Sequence, residues 1–186
     1  LLDARHSRPI EGGASFSLGN RLLRLCWGLG WLLLARFTPP QLHGWRRLVL
    51  RGFGAKVGRG VRVHGSVRIW LPVNLELGDF CLIGPGAHLY NQGRIVIGAR
   101  SVVSQGAHIC ASTHDIADPH FQLLLRPVTI GEQAWIAAEA FVGPGVTVGD
   151  RAVIGARAAL FEDAAPDGVY SGNPARLLKQ RGLREP

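Results

Sequence analysis

From Val57 onward an aliphatic side chain returns every sixth residue, and that period limits the possible folds more than any other feature. The series runs Val57, Val63, Ile69, Leu75, then slips by two to Leu77, Ile83, Leu89 and Ile95. It slips again to Ile97, Val103 and Ile109, breaks, and resumes at Ile130, Ile136, Val142, Val148, Ile154 and Leu160. Glycine often follows the aliphatic, as at Gly58, Gly84, Gly98, Gly131 and Gly155. A small residue recurs four places after it, as at Ala87, Ala107, Ala134, Ala140, Ala152, Ala158 and Ala164. A period of six fits neither a helix, with its roughly 3.6-residue repeat, nor a simple alternating strand.

Such a period marks a parallel β-helix, in which three hexapeptides close one triangular coil. Each aliphatic fills the interior, each small residue lets the chain turn a corner, and stacked coils bury one continuous core. The sequence therefore predicts an all-β chain, a left-handed parallel β-helix over residues 57–168. An N-terminal helical segment, 1–56, precedes it and a tail, 169–186, follows. Within the tail, Gly172-Asn173-Pro174 reads as a turn and Ala175–Arg181 as a short helix.

Residues 18–37 predict a helix, with Leu22, Leu25, Leu29, Leu32 and Leu33 near helical spacing, Asn20 as N-cap and Pro39-Pro40 as a stop. It is short for a membrane span of about 20 residues. A second helix is predicted around Gln41–Arg51, carrying Trp45 and Leu48 beside Arg46, Arg47 and Arg51. Two readings stand together. The helices cover the open end of the β-helix, whose strand edges would otherwise be unpaired. Alternatively, two Trp, leucine bulk and flanking Arg rest on a membrane surface.

Charge sharpens that division. Residues 1–62 carry 11 Lys/Arg against 2 Asp/Glu, residues 63–171 carry 6 against 10, and residues 172–186 carry 4 against 1. Basic ends suit an anionic partner, a nucleotide phosphate or an anionic membrane. No helix-turn-helix, zinc-finger or RNA-binding signature accompanies the charge, so nucleic acid is not expected. Cys26, Cys81 and Cys110 show no metal-ligand spacing. They are expected to be small buried residues in a reducing, cytoplasmic setting.

Residues 110–129 interrupt the repeat and hold His114, Asp115, Asp118 and His120. A loop of that length on a regular scaffold points to function.

The His114-Asp115 loop, Trp135-Ile136-Ala137-Ala138 and Gly172-Asn173-Pro174-Ala175-Arg176 occur in order along the hexapeptide phases. Together they resemble the hexapeptide acyltransferase superfamily. The Trp45-Arg46-Arg47 and Leu50–Ala55 segments, with Ile69–Leu75, are most similar to the colanic-acid-biosynthesis acetyltransferase family. The resemblance implies an acetyl-CoA-dependent O-acetyltransferase acting on a saccharide hydroxyl, of an exopolysaccharide or a lipid-linked sugar precursor, with no metal. It implies His114 as general base, a role that imidazole suits near neutral pH. Asp115 either orients the ring or tightens the loop turn. Backbone N–H groups near Trp135–Ala138 are candidate oxyanion donors. Trp135, Ala138, Ala156 and Phe161 would lie along coenzyme A, with Arg176 and Lys179 at its phosphates. Asn91 is an acceptor-side candidate. Glu162 departs from the family, where Lys is common. A homotrimer also follows from the resemblance, while the basic, Trp-bearing N-terminus would suit a lipid-linked acceptor met peripherally at the inner face of a membrane. Two other readings remain: a carbonic-anhydrase-like metal site on His88, His108 and His114, and a non-catalytic scaffold. His88 and His108, 20 apart, would stack.

Overall fold

A computed structural model describes residues 1–182 of the chain, so the last four residues of the tail lie outside the described residues. From Lys56 to Leu160 short parallel strands stack on three faces. The first face runs from Lys56–Val57 through Leu75–Leu77, Ile95–Ile97 and Val128–Ile130 to Thr147–Val148. The second runs from Arg62–Val63 through Leu82–Ile83, Val102–Val103 and Trp135–Ile136 to Val153–Ile154, and two further strands extend it. The third runs from Arg68–Ile69 through His88–Tyr90, His108–Cys110 and Phe141–Val142 to Ala159–Leu160. All seventeen aliphatic positions of the six-residue series are buried, and so are the recurring alanines at the corners.

The two slips have a geometric origin. Leu75 pairs with Ile95, an offset of 20, whereas Ile130 pairs with Val148, an offset of 18. Early coils carry two extra residues at the corner between the third and first faces. From Ile69 to Leu77 is eight positions, where Val142 to Val148 is six. The interruption enlarges the same corner: Ile109 to Ile130 is 21 positions. One corner is thus widened in three consecutive coils.

Three helices precede the coils: α1 (Ala4–Ser7), α2 (Leu18–Trp31) and α3 (His43–Gly52). Helix α2 is capped by Ser17, whose side chain accepts from Asn20 N–H at 3.4 Å, so the predicted Asn20 cap is corrected by three residues. It continues as a π-helical turn over Leu32–Arg36. None of the described helices is long and apolar enough to cross a membrane.

Helices α2 and α3 close the first coil with side-chain donors. The carbonyls of its outer edge have no further coil to bond. Trp27 and Trp31 donate indole N–H to Ile69 and Gly65 at 2.8 and 3.1 Å. Arg47 donates to Val61 at 2.9 Å and Arg51 to Val57 at 2.6 Å. Arg46 is fully buried, and its guanidinium meets carbonyls of Thr38, Pro39, Pro40 and Val63. The Trp and Arg residues that suggested a membrane surface are therefore the cap itself. The leucines of α2 are left exposed, among them Leu22, Leu25 and Leu29, each more than half accessible. Cys26 is exposed as well, contrary to the expectation of burial, while Cys81 is buried.

At the far end the predicted helix at Ala175–Arg181 is a strand. Ala175–Gln180 pairs antiparallel with Gly168–Gly172 and ends the second face. The local propensity of Ala-Arg-Leu-Leu-Lys-Gln favours a helix. The turn at Asn173-Pro174 folds it back onto an open strand edge, where backbone pairing prevails.

Candidate active site

The interruption is a β-hairpin. Ser112–His114 pairs antiparallel with Leu123–Leu125, bringing His114 opposite Leu123. Its eight-residue tip is held by its own polar groups. Asp115 N–H donates to the Gln122 carbonyl at 2.8 Å, and Asp118 Oδ1 accepts from His120 N–H at 2.9 Å.

His114 Nδ1 lies 2.9 Å from the carbonyl oxygen of Phe121. A carbonyl only accepts, so Nδ1 carries the proton and Nε2 presents a lone pair. The ring also stacks on the Phe121 ring, with centroids 4.2 Å apart and planes 11° apart. Phe121 sits at φ 54°, a left-handed conformation that bulky residues avoid. One strained residue thus fixes both the tautomer and the tilt of the imidazole. Asp115 is not the orienting group: its Oδ1 accepts from Ala117 N–H at 3.0 Å and tightens the turn.

A cavity of 330 Å³ opens beside His114, lined by Ser15, Phe16, Trp70, Tyr90 and Gln92. Three of these come from the widened corner: Trp70 on the first coil, Tyr90 and Gln92 on the second. Trp70 packs against Phe16 at 5.9 Å and Tyr90 at 5.1 Å, making an aromatic wall. Gln92 is 6% exposed, donates to the Tyr90 hydroxyl at 2.9 Å, and leaves Oε1 with no partner. Asn91, the residue singled out from sequence, is fully buried instead. Its Oδ1 accepts from Trp70 and Leu71 N–H at 2.9 and 3.2 Å, and its Nδ2 donates to the Leu71 carbonyl. Asn91 staples the corner, and its neighbour Gln92 lines the cavity. The slip in the repeat was the available signal for Gln92.

The N-terminal arm completes the wall. Ala4 N–H donates to Gln122 Oε1 at 2.7 Å, tying the arm to the hairpin 118 residues away. Sequence reasoning gave Ser15, Phe16 and Gln122 no role.

The remaining predicted residues lie elsewhere. Trp135 is on the outer side of the second face, 46% exposed, and donates to Ser104 Oγ at 2.9 Å. It borders a cavity of 600 Å³ with Arg100, Gln133 and Arg181. Ala138 and Ala156 stack at the next corner, following strands whose Trp135 and Val153 are in register. Two of the expected oxyanion donors are taken up by the coil ladder: Trp135 N–H bonds Ala152 and Ala137 N–H bonds Ile154. Phe161 is 57% exposed and packs on Phe141 at 5.6 Å. Arg176 and Lys179 are exposed on the last strand and form no ion pair among the described residues. Glu162 is exposed. In a triangular prism the corner bearing His114 is opposite the second face. A single chain therefore does not bring His114 to Trp135.

His88 and His108 do stack, with centroids 4.5 Å apart and planes 14° apart. Burial, then His108, then Arg68 push the His88 pKa down to about 4. His114 stays on Phe121, and no cluster of metal-binding side chains occurs among the described residues.

The family described as "Bacterial transferase hexapeptide (six repeats)" matches residues 127–161. The chain is 41% identical over 167 residues to the "Putative colanic acid biosynthesis acetyltransferase WcaF" of Escherichia coli K12, covering 89% of this chain and 91% of that protein. It is 25% identical to the galactoside O-acetyltransferase of the same organism, over 100% of this chain and 77% of the other. A maltose O-acetyltransferase from Clostridium difficile 630 has the same fold, with a TM-score of 0.82, 24% identity and 90% coverage of each chain. So does a galactoside acetyltransferase in complex with coenzyme A, with a TM-score of 0.82 and 21% identity, over 91% of this chain and 86% of that one. The repeat, the His-bearing hairpin and the near full-length identity agree: this chain belongs to the hexapeptide-repeat acetyltransferases, in the colanic acid biosynthesis acetyltransferase family.

Proposed function

We propose that the protein transfers acetyl from acetyl-CoA to a saccharide hydroxyl, with His114 as general base. One observation carries this reading: Phe121 holds Nδ1–H, leaving Nε2 free beside a cavity of aromatic and polar groups. Flat rings such as Trp70 suit the C–H face of a sugar, and Gln92 Oε1 awaits a hydroxyl donor. Nε2 takes the hydroxyl proton as the oxygen attacks the thioester carbonyl. The C–S bond breaks, and the proton passes to the departing sulfur. General-base help of this kind is worth about 10²–10⁴-fold.

The second-face cavity fits coenzyme A by its chemistry. Trp135 offers a wall for the pantetheine arm and Arg100 and Arg181 offer cations for phosphates, with Arg176 and Lys179 on the last strand of the same face. Ala138 and Ala156 would border the same groove, whereas Phe161 follows the third-face strand Ala159–Leu160 and packs on Phe141. Because His114 and Trp135 occupy opposite parts of one prism, a shared site requires two chains, and a homotrimer supplies that. The test is thiol release from acetyl-CoA with oligosaccharide acceptors. His114→Ala should slow it by about 10²-fold or more. Co-expressing His114→Ala with Trp135→Ala chains should restore part of the rate in mixed oligomers. Equal rates for His114→Ala and the parent would remove His114 from the reaction.

The exposed leucines of α2 support a peripheral site at an anionic membrane. Residues 12–75 hold ten Lys/Arg and no Asp/Glu, so the part of the chain that carries this apolar face is strongly basic. An environment-sensitive dye on Cys26 should shift to the blue with phosphatidylglycerol vesicles. An unshifted spectrum, with no co-flotation, would leave the helices as a cap only.

A further inference from the structure

A third cavity, of 320 Å³, lies between α2 and the third face. Arg24, Arg36 and Arg68 line it, together with Trp27, Trp70 and His88. All three arginines line it, and none pairs with a carboxylate among the described residues. No Asp or Glu occurs anywhere from residue 12 to residue 75. A cavity lined by three unpaired cations attracts an anion. Two of its lining residues also carry buried donors without a partner, Arg24 Nε and Trp70 Nε1. Buried donors are nearly always satisfied in folded proteins, so such a pair calls for an acceptor. His88 adds no charge near neutral pH, because burial keeps it unprotonated.

The position of this cavity matters as much as its charge. Trp70 belongs to both cavities: it walls the His114 site on one side and the arginine site on the other. Arg24 lies 4.0 Å from the Trp70 ring centroid, a cation–π contact that fixes the indole as a partition. On its outer side the arginine cavity adjoins α2, whose leucines are exposed. The arginine cavity therefore shares Trp70 with the His114 cavity and shares α2 with the exposed leucines.

We propose that Arg24, Arg36 and Arg68 bind the phosphate or diphosphate through which the acceptor saccharide is attached to its carrier. This rests on the reading of the His114 cavity as the acceptor site, and it narrows the acceptor to a phosphate-linked saccharide. The anion anchors the carrier, and the short saccharide attached to it reaches past Trp70 to His114.

The test is direct binding of small diphosphates, measured by calorimetry on the intact protein. The probes are inorganic pyrophosphate, farnesyl diphosphate and uridine diphosphate. Farnesyl diphosphate binding more tightly than uridine diphosphate identifies a lipid carrier, and the reverse order a nucleotide carrier; either supports the site. Arg68→Gln and Arg36→Gln, both exposed and outside the core, should each weaken binding roughly 10- to 100-fold, as loss of a charge-assisted hydrogen bond does. Arg157→Gln, a surface change on a later coil, should leave binding intact. His114→Ala should also bind normally, so failure of the base assignment is separable from failure of this site. Absence of saturable binding by the parent protein, or equal affinity in the Arg36→Gln/Arg68→Gln double variant, would overturn the proposal.

Discussion

His114 and Phe121 form one unit: the imidazole lies flat on the phenyl ring at 4.2 Å and donates Nδ1–H to the same residue's carbonyl at 2.9 Å. The carbonyl reaches the ring because Phe121 adopts φ 54°. Phe121→Gly should keep the backbone turn and relieve strain of roughly 1 kcal/mol. It also removes the stacked ring. Thermal stability is expected to hold or rise while kcat falls about tenfold, since a loosened base is poorly positioned. Melting curves and steady-state rates on one preparation measure both. An unchanged kcat would mean that the carbonyl alone orients the base.

Gln122 ties the N-terminal arm to the hairpin through Ala4 N–H at 2.7 Å. Gln122→Leu keeps the bulk and deletes the acceptor. One hydrogen bond is worth about 1 kcal/mol. The acceptor KM should therefore rise roughly fivefold, since the arm carries Ser15 and Phe16, with kcat nearly constant. A matching loss in kcat would show that the arm acts on His114 itself.

Arg46 is buried without a carboxylate, and burial lowers its pKa. Its four carbonyl partners span the Pro39-Pro40 turn and the first coil. Arg46→Met would leave those acceptors unsatisfied at a cost of about 3–5 kcal/mol. Denaturant unfolding should register the loss. A change under 1 kcal/mol, on the usual scale of surface substitutions, would contradict the clamp.

His88 and His108 both titrate below the ordinary histidine value, chiefly through burial, and His88 does so near 4. The unfolded chain takes up these protons near pH 6.5, whereas the folded chain resists them. Stability is therefore complete above pH 6.5 and declines as pH falls toward 4, by an upper bound of roughly 3 kcal/mol for His88. His88→Gln should flatten the melting temperature over that window. An unaltered slope would assign acid sensitivity to other groups.

The buried face of every coil was legible because one period governs it: each aliphatic of the series is inside. The hairpin's position was legible as a break in that period. What escaped notice was anything defined by partners that exist only after folding. Trp27, Trp31 and Arg47 read as interfacial residues, yet their donors meet carbonyls of the first coil. Asn91 and Gln92 are adjacent, and the corner turns one inward and the other toward the cavity. Phe121 gave no signal, since nothing in its neighbours foretells a left-handed phenylalanine. Arg176 and Lys179 read as helical because local propensity contains no information about a waiting strand edge.

The closure of the first coil by indole and guanidinium donors also governs how the chain meets copies of itself. A bare coil end would present a row of carbonyls and amides in register with any identical coil, a template for end-to-end polymerisation. Here the carbonyls of Val57, Val61, Val63, Gly65 and Ile69 already have donors. At the other end the last strand shows Arg176 and Lys179 to solvent, charges that discourage strand addition. Donors at one end and charges at the other thus disfavour growth along the prism axis.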